Sequence, residues 1–347
     1  MAPDHFSNTK VATRSDAYSG SGRADLWQGQ GRIILSVVVP TYNEGENIDI
    51  FLERIEGILV SLVEELDGNY EIICVDDGST DETVERLIFH RERNPSIKIL
   101  CLSRNFGKEI AMSAGLDHSG GAAVVPIDVD LQDPPEVIPK LFEKWLEGYD
   151  IVYATRDSRV SDSLTKRMTS SWFYRVYNSL ADTTIPNDTG DFRIMDRRVI
   201  DALRVLPERN RFMKGLFSWV GFRQTGVNYQ REPRACGKTK WKYWQLWNFA
   251  LDGIASHSTM PLRIWTYLGL FISVLAFGYA GFLVMRLVVM GVDTPGYASL
   301  MVTILFMGGI NILTLGIMGE YLGRIYSEVK GRPLYLVRQS YGLNSTR

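Results

Sequence analysis

Five short apolar runs mark the first half of the chain: "IILSVVV" at 33–39, "YEIICV" at 70–75, "IKILCL" at 97–102, "AAVVPI" at 122–127 and "DIVYAT" at 150–155. Between them the pattern turns helical, over about 46–66, 80–93, 107–119 and 134–147. Strands that are apolar throughout, alternating with helices, predict an α/β domain whose mostly parallel sheet is covered on both faces. Sheets of this kind bind ligands beyond the carboxyl ends of their strands. A polar cluster follows each of the first four runs: "TYNEGEN", "DDGSTDE", "SRNFGK" and "DVDLQD". One such cluster is ordinary turn chemistry, whereas four predict a site.

The hydrophobic pattern changes in the last quarter. "IWTYLGLFISVLAFGYAGFLVM", from Ile264, has no charge over 22 residues, and "ASLMVTILFMGGINILTLGIMG", Ala298 to Gly319, repeats this. At the α-helical rise each would reach roughly 33 Å, the thickness of a bilayer core. The short linker makes them a hairpin. Arg324, Lys330, Arg332 and Arg338 follow it and Arg263 precedes it, while the linker offers only Arg286. The positive-inside rule then keeps the body and the C-terminal tail in the cytosol. Just upstream, Trp241, Trp244 and Trp247 recur every three residues, which reads as an interfacial helix at headgroup level. The expected organisation is a disordered tail over 1–31, a cytosolic α/β domain over 32–235 and a juxtamembrane helix over 236–260. A transmembrane hairpin over 261–322 (spans at about 264–286 and 298–319) and a cytosolic tail over 323–347 complete it.

Composition adds exclusions. The net charge is −2 in 347 residues, so nucleic acid is not an expected partner. Cys74, Cys101 and Cys236 have neither disulfide nor zinc spacing, which fits a reducing compartment. The first 31 residues lack an apolar signal core.

Within "DVDLQD", Asp128 and Asp130 can face one point only if the chain turns between them. Carboxylates so close need solvent or a cation, and Mg²⁺ or Mn²⁺ takes oxygen ligands shared with substrate phosphates. Asp133, before Pro134-Pro135, reads as a helix cap. In "VDDGSTDET", Asp76 or Asp77 can accept hydrogen bonds from a base or ribose, with Ser79 or Thr80 as a helix cap. Arg156 and Arg159, with Arg234, Lys238 and Lys240, supply cations suited to a phosphate-bearing lipid.

"VVVPTYNE", "VDDGSTD", "DVDLQDPPE" and "GDFRIMDRR", in that order and ahead of two spans, resemble the family 2 glycosyltransferases of GT-A fold. More narrowly they resemble the polyprenyl-phosphate group, which includes bactoprenol glucosyltransferases and dolichyl-phosphate mannose synthases. The resemblance covers residues 33–330. It implies a UDP- or GDP-linked sugar donor, with Pro40, Tyr42, Glu44 and Asp77 lining the nucleoside pocket and Asp128 also at the nucleotide. Asp128, Asp130 and Gln132 would hold Mg²⁺ or Mn²⁺ on the diphosphate. Asp188, Asp191 and Arg193 would sit over the reacting sugar as the catalytic group. Arg156, Arg159, Arg234 and Lys240 would meet the lipid phosphate.

The expected reaction is an inverting hexosyl transfer to a polyprenyl phosphate such as undecaprenyl phosphate. The product would be a lipid-linked sugar for cell-envelope glycan modification, with UDP-glucose the first-choice donor by family frequency alone. The expected location is the cytoplasmic membrane with both termini in the cytosol. The small residues of the second span could pack subunits into a homo-oligomer or simply close the hairpin. Two alternatives are a processive polysaccharide synthase, whose Gln-x-x-Arg-Trp motif is absent, and a non-catalytic nucleotide-sugar sensor.

Overall fold

The computed structural model describes residues 32–64, 68–156, 189–206, 208–209, 211–232 and 296–343, with scattered positions from 267 to 289. The N-terminal tail, the Trp-rich juxtamembrane stretch, and the site candidates Arg159, Asp188, Arg234 and Lys240 lie outside the described residues.

The five apolar runs become strands β1 (Ile33–Thr41), β2 (Asn69–Asp76), β3 (Ile97–Leu102), β4 (Ala123–Pro126) and β5 (Ile151–Arg156). The helical stretches become α1 (Gly45–Glu64), α2 (Thr83–Arg93), α3 (Lys108–His118) and α4 (Ile138–Leu146), the last preceded by a 3₁₀ turn at Pro135–Val137. Further along come β6 (Thr189–Asp196), α5 (Arg197–Val205), α6 (Met213–Trp219) and β7 (Gln224–Tyr229). The chain closes with α7 (Tyr297–Val329) and β8 (Val337–Tyr341).

The eight strands form one sheet in the order β7-β5-β6-β4-β1-β2-β3-β8. Its centre, β4-β1-β2-β3, is parallel, while β6 and β8 run antiparallel to their neighbours. This is the GT-A type of α/β sheet. One face buries Val37, Val39, Ile72 and Cys74 against Phe51, Leu52 and Ile55 of α1 and Phe142 and Trp145 of α4. The other buries Val38, Val124 and Met195 against Met112 of α3, Ile200 of α5 and Phe217 of α6. Asp196 links three elements, since Trp145 Nε1 donates to it at 3.0 Å and Arg198 N donates at 3.0 Å to cap α5.

The C-terminal segment differs from expectation. It supplies the eighth strand of the catalytic sheet, Ile99 pairing with Tyr341 and Cys101 with Gln339. The side chains of β8 remain mostly exposed, with Tyr341 packing against the core, so no apolar alternation announces the pairing. α7 runs ten residues past the apolar stretch that ends at Gly319. It exposes Ile304, Phe306, Ile312, Leu315 and Leu322. Taken over the described residues, no helix is long and apolar enough to cross a membrane; the described side chains of α7 are broken at 297–299, 301–302 and 305.

Candidate active site

The strand-end clusters are tied to one another in series. The first, after β1, holds Asn43 in the left-handed region at φ 51°. Its side-chain oxygen accepts the amide of Thr80 at 2.8 Å, and its own amide donates to Ser79 Oγ at 2.9 Å. Glu44 N donates to Thr83 Oγ1 at 2.9 Å and Gly45 N to Asp81 Oδ2 at 3.2 Å. Ser79 and Thr80 therefore join the first two clusters instead of capping α2. Pro40 and Tyr42 stand at this rim, and Glu44 accepts from Asn47 at 2.7 Å.

The second cluster grips the third. Asp77 is buried, and its two carboxylate oxygens accept the amides of Phe106 (2.7 Å) and Gly107 (2.8 Å). Burial lifts its carboxyl above the ordinary value, against the pull of those two donors. Gly78 sits at φ 74°, and a Cβ there would stand 2.8 Å from the carbonyl carbon of Arg104, so only glycine allows this approach. Asp77 thus shapes the wall of the expected nucleoside pocket by fixing the 103–107 loop.

The third cluster grips the fourth and β6. Lys108 Nζ lies 2.7 Å from Asp128 Oδ1, 2.8 Å from Asp128 Oδ2 and 2.9 Å from Asp191 Oδ2. Asp191 Oδ1 is buried with no hydrogen-bond partner among the described residues. Burial alone would raise the Asp191 carboxyl, but the ammonium groups of Lys108 and Lys214 outweigh it and hold the group well below the usual range. Glu109, the next residue, accepts the amide of Met213 at 3.3 Å. Burial, then the nearby Asp191 charge, pushes its carboxyl up to about 8.

A turn does lie between Asp128 and Asp130, and Leu131 follows at φ 56°. Buried Val129, Leu131 and Asp133 alternate with partly exposed Asp128, Asp130 and Gln132, which leaves the two carboxylates on the open side. Asp130 Oδ1 accepts the amide of Gln132 at 3.2 Å. Among the described residues no three His, Cys, Asp or Glu side chains converge on one point. A hard divalent cation that keeps waters and takes diphosphate oxygens needs only one or two carboxylates, so this pair fits it. Asp133 does not cap the following helix; Tyr229 Oη donates to it and Arg231 Nε approaches to 3.7 Å.

On β6, residues 191, 193 and 195 share one face and descend into the core. Asp191 is at the open end, and Met195 is fully inside. Arg193 between them is only 4 % exposed; it donates to the carbonyl of Gly190 at 2.7 Å and lies over the Phe217 ring at 4.0 Å. Its guanidinium thus packs on α6 while still acting on the charge of Asp191. Arg156, at the end of β5, lies near Gly190 and the Asp133–Tyr229 pair.

Sequence reasoning quoted "SRNFGK" but passed over Lys108 and Glu109. A signal was present: Lys108 starts α3, where the helix dipole disfavours a cation unless carboxylates offset it.

Known proteins resemble the chain along most of its length. Glycosyl transferase family 2 matches residues 36–204, and the GtrB C-terminal hairpin matches residues 260–325. An uncharacterized glycosyltransferase of Synechocystis sp. is 57 % identical over 311 residues, covering 90 % of this chain and 96 % of its own. The SfII prophage-derived bactoprenol glucosyl transferase of Shigella flexneri is 46 % identical over 307 residues, covering 88 % and 98 %. The prophage bactoprenol glucosyl transferase homolog of Escherichia coli is 46 % identical over 306 residues, with the same coverage. With this rim of knitted strand ends and these relatives, the chain belongs to the family 2 glycosyltransferases, in the polyprenyl-phosphate glycosyltransferase group.

Proposed function

We propose that this enzyme moves a hexose from a nucleotide-sugar donor to the phosphate of a polyprenyl phosphate, at the cytosolic face of a membrane entered by its C-terminal hairpin. The observation that carries this reading is that each strand-end loop is hydrogen-bonded to the next: Asn43 to Thr80, Asp77 to the amides of Phe106 and Gly107, and Lys108 to Asp128 and Asp191. It brings four strand ends to one rim, where a nucleoside, a diphosphate and a sugar can lie in sequence. The bactoprenol glucosyl transferases at 46 % identity favour glucose as the sugar and a polyprenyl phosphate as the acceptor. The exposed apolar side chains of α7 and the charge-free run at 264–285 support insertion of the hairpin, with the catalytic domain in the cytosol.

A phosphate monoester has a second pKa near about 6, so the acceptor oxygen is already ionised at cytosolic pH. No strong general base is required. Asp191, held ionised by its lysine neighbours, is suited to orienting sugar hydroxyls and poorly suited to carrying a proton. Asp128 and Asp130 would hold a Mg²⁺ or Mn²⁺ ion, which supplies charge stabilisation for the departing diphosphate. Arg156, Arg159, Arg234 and Lys240 would meet the anionic acceptor. In-line displacement would invert the anomeric centre.

The test is to follow nucleoside diphosphate release from the purified full chain with a panel of UDP- and GDP-sugars, with and without undecaprenyl phosphate and chelator. Release with one donor, dependent on lipid and lost on chelation, is expected. Turnover that ignores the lipid would overturn the acceptor.

A further inference from the structure

The ammonium of Lys108 stands where the proposed function needs a cation. Both oxygens of Asp128 lie within 2.8 Å of Nζ, so an ammonium already takes the two-oxygen bite of that carboxylate, the position in which a second cation would meet its charge. The same nitrogen reaches Asp191, which comes from β6, 83 residues further on. One side chain thus joins the carboxylate nearest the diphosphate position to the carboxylate nearest the sugar position.

The placement is costly on its own terms. Lys108 opens α3, where the helix dipole opposes positive charge, and the two carboxylates offset that cost. Desolvation disfavours the charge too, yet Asp128 and Asp191 hold the ammonium protonated well above its usual range. Its side chain is still 36 % exposed, so its head borders the open rim, and a four-carbon stem lets it move. A bound diphosphate would offer it a second anionic partner and release Asp128.

Resting on the proposed donor reaction, we propose that Lys108 is a positioning residue that occupies Asp128 in the donor-free enzyme. It gives up that carboxylate to the divalent cation when the diphosphate arrives, and keeps Asp191 in place throughout. The ammonium and the divalent cation therefore compete for Asp128.

The test measures Mn²⁺ binding to the donor-free full chain in detergent, by electron paramagnetic resonance of free Mn²⁺, for wild type, Lys108→Met and Lys108→Arg. Turnover is measured in parallel. Removing the competing ammonium should tighten Mn²⁺ binding by about tenfold in Lys108→Met, while kcat falls by at least about tenfold because Asp191 loses its anchor. Lys108→Arg keeps the charge and should keep weak Mn²⁺ binding. A merely structural lysine predicts the reverse: Mn²⁺ binding unchanged or weaker in a folded Lys108→Met, which overturns the proposal. Should Lys108→Met not fold, Lys108→Gln removes the charge while keeping a polar head, and the same shift decides. Failure of the proposed reaction would show separately, as no release from any donor by wild type, while the Mn²⁺ shift still reports on Lys108.

Discussion

The amide of Gly107 donates to Asp77 Oδ2 at 2.8 Å, joining the loop after β3 to the end of β2 across thirty residues of sequence. Phe106 N completes the grip on Oδ1. Asp77→Asn keeps one acceptor oxygen and sets an NH₂ group against a donor. It should lose about 1–3 kcal/mol of stability, the cost of an unsatisfied buried donor. Loosening of the 103–107 loop should raise donor KM more than it lowers kcat. Denaturant unfolding and donor titration check both, and an unchanged KM would remove this loop from the nucleoside pocket.

Asp130 is partly exposed at the strand end, and its Oδ1 accepts the nearby amide of Gln132. Asp130→Ala should therefore leave thermal unfolding nearly unchanged while turnover drops at least about a hundredfold. Full activity at saturating Mn²⁺ would take Asp130 out of the cation site.

Glu109 gives a pH signature. Burial and the Asp191 charge push its carboxyl up to about 8 in the folded protein against an ordinary 4.5, so between those values the fold holds a proton that the unfolded chain has released. Stability from this group is thus present at low pH and is lost as pH rises through that window. Glu109→Gln cannot lose it. Melting curves should show wild type falling relative to Glu109→Gln from pH 5 to 8, and parallel curves would mean that Glu109 is already ionised in the fold.

Deleting residues 333–347 removes β8 and the hydroxyl of Tyr335, which donates to Asp117 at 3.0 Å. The edge of β3 would be unpaired and Leu102 less covered. A melting temperature lower by about 5 °C or more is expected, with aggregation visible by gel filtration. A tail-free chain as stable as wild type would show that β8 is only an accessory strand.

The central strands were legible because each is an uninterrupted apolar run, and β1 to β5 fall within one or two residues of those runs. The later strands were not. Gln224–Tyr229 and Val337–Tyr341 expose much of their side-chain surface, so their pairing is written in backbone hydrogen bonds. The turn that leaves Asp128 and Asp130 on one open side was legible from their spacing beside a strand end. Lys108 was not, because its meaning depends on Asp191 arriving from 83 residues away. The burial of Arg193 over Phe217 was not legible either, because Phe217 of α6 arrives more than twenty residues later.

The return of the chain to the sheet has a mechanical consequence. Glu328 accepts the amide of Arg209, Gly331 turns the backbone at φ 65°, and β8 then fastens to β3. A domain hung on one linker can swivel about it, whereas a strap buckled at both ends cannot turn freely. With the hairpin embedded as proposed, tilt of α7 becomes a sideways load on β3. The loop leaving that strand leads into Lys108 at the start of α3, so under that proposal the strap and the contacts of Lys108 to Asp128 and Asp191 would bear on one strand.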